Sequence, residues 1–115
     1  MAHDVLRAVF AHQIADLKPA ADETVYITVR GHAIGDLVQQ LAPLHRCADA
    51  RESTDPPDDA LVLDNGPVKM LGPDRAQVEG GYARGRGFVR ELVYDVERGA
   101  DGAWTVTRAK LMRML

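Results

Sequence analysis

The chain has a single cysteine, Cys47, which excludes a disulfide within it and suits a reducing compartment. It has no excess of positive charge. Fourteen Lys and Arg stand against 17 Asp and Glu, a formal net charge of −3. That balance gives no electrostatic reason to expect nucleic acid or a membrane surface as a partner. No apolar run approaches a membrane span, and residues 1–17 are amphipathic and charged, unlike a signal peptide. The default expectation is a cytoplasmic protein, with a signal peptide already removed left open. There is no internal repeat and no low-complexity tract. What remains is 115 residues with 46% hydrophobic and 27% charged content, the make-up of one globular domain with a real core.

The C-terminal third organises the chain. Period-2 alternation predicts three strands, over residues 75–84, 87–98 and 103–112. Gly99 and Gly102 bracket the turn between the last two and supply the positive φ that a hairpin needs. Ala76, Val78 and Tyr82 fall on one face of the first strand, with Arg75, Gln77 and Glu79 on the other. Phe88, Leu92, Tyr94 and Val96 share a face of the second, and Trp104 and Val106 begin the third. Such a meander has one packed face and one wet face, and the packed face needs a cover.

The preceding chain supplies it. Val5, Leu6, Val9, Phe10, Ile14 and Leu17 form one apolar stripe, predicting a helix over 4–17 with Asp4 as its cap and Pro19 as its stop. His12 and Asp16, four apart, read as solvated side chains on its wet face. The β-branched run 24–30 predicts a strand, with Val25, Ile27 and Val29 on one face. Residues 36–42 predict a helix of about two turns, too short to stand alone, which Pro43 ends. A short strand over 44–50 precedes a polar, proline-containing stretch over 51–59, read as a mobile loop inside one domain. Residues 60–64 and 67–71 read as one strand interrupted at Asn65-Gly66 by a bend or bulge. The expected fold is a single α+β domain spanning 1–115. Its curved, mostly antiparallel sheet of five to six strands is covered on one face by the N-terminal helix and a short second helix.

Residues 90–98 (Arg-Glu-Leu-Val-Tyr-Asp-Val-Glu-Arg), a glycine-bearing turn, then Asp101-Gly-Ala-Trp-Thr-Val resemble the closing hairpin of the NTF2-like (cystatin-like) superfamily. The amphipathic helix at the start is also similar to that superfamily, although this chain offers one long helix where the family has two or three. The resemblance implies a cone-shaped sheet wrapped around the helix. The superfamily hosts isomerases, dehydratases, polyketide cyclases and non-catalytic binding or dimerisation modules, so fold does not choose among them. Members resembling ketosteroid isomerase use an inward Asp with an oxyanion-stabilising Tyr or Asp. No motif carries those positions onto this chain, and its catalytic residues stay unassigned.

Three constellations bear chemistry. His45, Cys47 and Asp49 alternate onto one face if 44–50 is extended, and their side chains are zinc-ligand types or a thiol with a nearby base. Strand neighbours splay apart and no further ligand backs the trio, so neither a metal nor any other cofactor is expected, and Cys47 reads as a small buried hydrophobe. Arg84-Gly-Arg86-Gly-Phe88 reads as a hairpin with solvated arginines, not a nucleic-acid segment. Strict alternation sets Arg90 on the apolar face, where its fork would take a carboxylate, while a bulge at Arg90-Glu91 would turn it outward. Arg90, Tyr82, Tyr94 and Trp104 are the candidate ligand-binding residues. Glu79, Glu91, Asp95 and Glu97 fall outward, which favours a non-catalytic ligand- or protein-binding module over the alternative, an isomerase- or cyclase-like acid–base enzyme in the mouth of the cone. Val89 and Val93 on the uncovered face point to a homodimer through it.

Overall fold

In the computed structural model, which describes residues 2–52, 57–85 and 88–114, the first apolar stripe forms α1 (Ala2–Leu17). Val5, Leu6, Val9, Phe10 and Ile14 are buried along it, and Gln13 is buried with them. Asp4 sits inside the first turn, not ahead of it, where its charge still favours the N-terminal end of the helix dipole. The elements that follow are β1 (Val25–Val29), α2 (Leu37–Leu41), β2 (Cys47–Asp49), β3 (Leu61–Gly72), β4 (Arg75–Arg84), β5 (Phe88–Arg98) and β6 (Trp104–Met114). Among the described residues, no helix is long and apolar enough to cross a membrane.

The strands form one six-stranded sheet in the order β2-β1-β3-β4-β5-β6. β3 to β6 are an antiparallel meander, as the alternation predicts. β1, however, runs parallel to both β2 and β3, which makes the sheet mixed. Parallel neighbours need a crossover, and the stretch carrying α2 provides the one from β1 to β2. The loop expected over 51–59 falls in part on residues 53–56, outside the described residues. Its first residue is held in place: the Arg51 backbone N–H donates to Asp49 Oδ1 at 2.9 Å, and its guanidinium donates to the Val29 carbonyl at 3.2 Å.

The sheet is not closed on itself, but it curves round α1, which touches β3, β4, β5 and β6 in turn. One core results. Phe10 and Val9 from the helix, Ile27 from β1, Leu63 from β3, Val78 from β4 and Tyr94 from β5 all belong to it. Trp104 and Val106 pack against its margin. Full burial of each large side chain contributes about 1.5–3 kcal/mol, so the helix–sheet contact carries the fold. Among the described residues, no helix lies on the other face of the sheet.

β3 breaks step at the predicted place. Asn65 pairs with Gly80 and Val68 with Val78, with Gly66 and a cis Pro67 between. Gly66 has φ +128, and a Cβ there would fall 2.1 Å from the Arg30 carbonyl oxygen, so only glycine fits. β6 also breaks step, at Thr107 and again at Met112. Each extra residue turns the following side chains over. Arg108, Lys110 and Arg113 therefore stand opposite Asp95, Val93 and Glu91, on the outer face, while Ala109, Leu111 and Met114 take the helix side.

Candidate functional site

On the helix side, one polar cluster interrupts the apolar packing. Gln13 projects from α1 into the curve of the sheet and is 1% exposed. Its Nε2 donates to Asn65 Oδ1 (3.1 Å), to the Tyr94 hydroxyl (3.0 Å) and to the Gly81 carbonyl (3.3 Å), so two N–H groups are shared among three acceptors. Asn65 Nδ2 donates back to Gln13 Oε1 at 2.7 Å, closing an amide pair. Space for Asn65 exists because position 80 is glycine: a Cβ there would meet Asn65 Oδ1 at 1.9 Å. Burial pushes the Tyr94 phenol up to about 12. It is thus a neutral donor and acceptor over the ordinary pH range, and the cluster is satisfied and structural in character.

The four candidate ligand-binding residues divide between two ends of the sheet. Tyr82 and Arg90 are directly paired across β4 and β5, and Tyr94 follows four residues along β5 on the same side. Pairing between β4 and β5 is regular throughout, so alternation holds and Arg90 shares the helix side with Tyr94. The break in step near Glu91 belongs to the β6 side of the strand instead. Arg90 Nη1 donates to the Val89 carbonyl at 3.2 Å. Trp104 stands opposite Arg98, roughly 26 Å along β5 from Arg90 at the usual strand rise, with the Arg98 guanidinium 5.7 Å from its ring centroid. His12 packs edge-on to Tyr94, ring centroids 6.0 Å apart, and is half-buried, not solvated; its partner in the sequence pattern, Asp16, is exposed.

His45, Cys47 and Asp49 do not converge. The His45 ring bonds the Glu23 carbonyl, Cys47 Sγ donates to the His45 carbonyl at 3.4 Å, and Asp49 Oδ1 accepts from the Arg51 N–H. Burial pushes the Cys47 thiol up to about 11, the opposite of nucleophile activation. Among the described residues no group of three His, Cys, Asp or Glu side chains is placed to hold a metal ion. Arg84 pairs with Glu23 at 2.7 Å, and this bond holds the Glu23 carboxyl below the usual range. Arg86 and Gly87 lie outside the described residues.

The outer face holds an open trough of about 540 Å³. Val62, Ala83, Val89, Val93 and Met112 line it, and Gly81, which has no side chain, deepens it. Charge stands on both flanks as closed cross-strand pairs: Arg30 with Asp64 at 3.2 Å and Arg113 with Glu91 at 3.2 Å. Further along, Arg75 lies 3.8 Å from Glu97, and Gln77 donates to Asp95 at 3.2 Å. The trough was half legible. Val89 and Val93 mark it in the sequence, whereas Met112 reaches it only through the irregularity at Thr107.

Compared with models of known families, with curated proteins and with solved structures, the chain matches none.

Proposed function

We propose that this chain is a small non-catalytic binding module whose working surface is the outer sheet face, with a second copy of itself as the partner. The observation that carries the reading is the trough: an apolar floor lined also by three acids, Asp64, Glu79 and Glu91, of which Asp64 and Glu91 already have an arginine beside them. Acidic side chains alone would repel across a two-fold axis, but Glu91, Glu97 and Asp64 are each neutralised by an arginine of the same chain. Two such faces meet without a net clash of charge, and a two-fold contact is self-complementary. The likeness to the NTF2-like superfamily belongs to this proposal and is supported by the helix held in a curved sheet.

An acid–base enzyme needs a group poised near neutral pH. Neither the Cys47 thiol nor the Tyr94 phenol is such a group, since burial displaces both upward, away from that range. The test is Val93→Asp, which places a carboxylate on the trough floor. The expected result is a monomer with an unchanged circular dichroism spectrum and an unchanged melt after correction for lost association. A Val93→Asp protein that stays dimeric overturns the choice of face.

A further inference from the structure

The sheet has two edges, and they are unequal. β2 is three residues long, whereas β6 runs for 11 from Trp104 to Met114. Every residue of β6 from Thr107 to Met114 is exposed. An edge strand presents unpaired N–H and C=O groups along its free side, a template for a further strand. Its side chains make two rows. Arg108, Lys110 and Arg113 project on the outer side; Leu111 and Met114 project on the helix side, 48% and 58% exposed. Arg113 is paired with Glu91, but among the described residues no ion pair holds Arg108 or Lys110.

We propose that β6 accepts a seventh strand from an extended acidic segment of another protein, with carboxylates on its outer side and apolar residues on its helix side. Opposite charges on directly facing strand positions attract, and like charges repel. Two β6 edges pairing with each other would bring their cationic rows together, so a second copy is the wrong occupant for this edge. The same charges that bar self-pairing admit an acidic strand. Leu111 and Met114 give its alternate residues something to cover, and the backbone ladder supplies affinity independent of side chains. This edge adjoins the trough through Met112 and Arg113, but the ladder groups on the free side of β6 are not part of it, and the proposal does not rest on dimerisation of the outer face.

The probe is a fluorescein-labelled eight-residue peptide alternating glutamate with valine and threonine, titrated by anisotropy at low and moderate salt. Its counterparts are the lysine-for-glutamate peptide, the fully N-methylated glutamate peptide and a single-stranded DNA octamer. The expected result is saturable binding of the glutamate peptide, at least tenfold weaker binding of both peptide counterparts, and amide shifts concentrated in β6. Arg108→Glu/Lys110→Glu reverses the preference between glutamate and lysine peptides. Equal binding of the N-methylated peptide overturns strand addition; equal binding of the lysine peptide overturns the acidic partner. DNA bound as tightly as the glutamate peptide, or shifts confined to the trough, overturns the site. All the wild-type arms stand even if the charge-reversed variant fails to fold.

Discussion

Gln13 on α1 and Asn65 on β3, 52 residues apart, hold each other through a closed pair of amide hydrogen bonds, with Tyr94 as a third member. The cluster fixes how far along the sheet the helix lies, because an apolar stripe alone can slide by a turn at little cost. Removing either amide leaves buried polar groups without partners, at about 1–3 kcal/mol for each orphaned group. Gln13→Ala and Asn65→Ala are each expected to lower the urea-unfolding free energy by at least that much. The double variant should fall short of their sum by about 0.5–3 kcal/mol. Strict additivity in that cycle contradicts the pairing.

Position 80 tests the same cluster from the side of the strand. Gly80→Ala drives a methyl group against Asn65 Oδ1, 1.9 Å from the Cβ position, and overpacking of this kind costs about 1–3 kcal/mol. Gly72→Ala, which meets nothing within 4 Å, is the control and is expected to stay within about 0.5 kcal/mol of the parent. Equal effects of the two substitutions refute the close approach.

Phe10 is 0% exposed at the centre of the helix–sheet contact. Phe10→Ala should cost about 3–5 kcal/mol and lower the melting temperature by roughly 10 °C or more. A shift of only about a degree or two would mean that α1 does not pack on the sheet.

Stability should also fall on the alkaline side. Burial raises the Cys47 thiol to about 11 and the Tyr94 phenol to about 12, above the values of about 8.5 and 10 these groups have in an unfolded chain. The fold therefore favours their neutral forms. The stability this confers is complete below the unfolded values and is lost as pH rises through the folded ones. Urea midpoints should decline from about pH 8.5 upward, and Cys47→Ala should remove the earlier part of the decline. A midpoint flat to pH 12 rules out burial as described.

Most of the fold is readable in the residues themselves because its signals are local. The Val5-to-Ile14 spacing is helical, the Ala76–Val78 and Tyr94–Val96 alternation is β, and the Asn65-Gly66 pair marks the break in β3. Gln13 is not legible as a core residue, because a polar residue inside an apolar stripe looks like one that faces water. Its partners lie 52, 68 and 81 residues away, where no periodicity points. The pairing of charges on the outer face is only partly legible, for a different reason. Arg75, Arg84 and Arg98 are the arginines nearest the acids in the strand pattern, yet Arg84 is engaged with Glu23 and Arg98 with Asp74. Arg108 and Lys110 reach that face only because Thr107 shifts the register, Met112 then restores the original alternation and sets Arg113 opposite Glu91, and nothing in the residue types announces those shifts. The parallel pairing of β1 with β2 and β3 depends on where the chain crosses, not on strand composition.

On the proposed reading, a second copy closes the trough of Val62, Ala83, Val89, Val93 and Met112. Light-scattering mass of the wild-type chain at tens of micromolar, at both low and moderate salt, tests it most directly. Twice the monomer mass is expected under both conditions, since Asp64 and Glu91 on the trough's flanks are already paired within each chain. A monomer mass in both would contradict it.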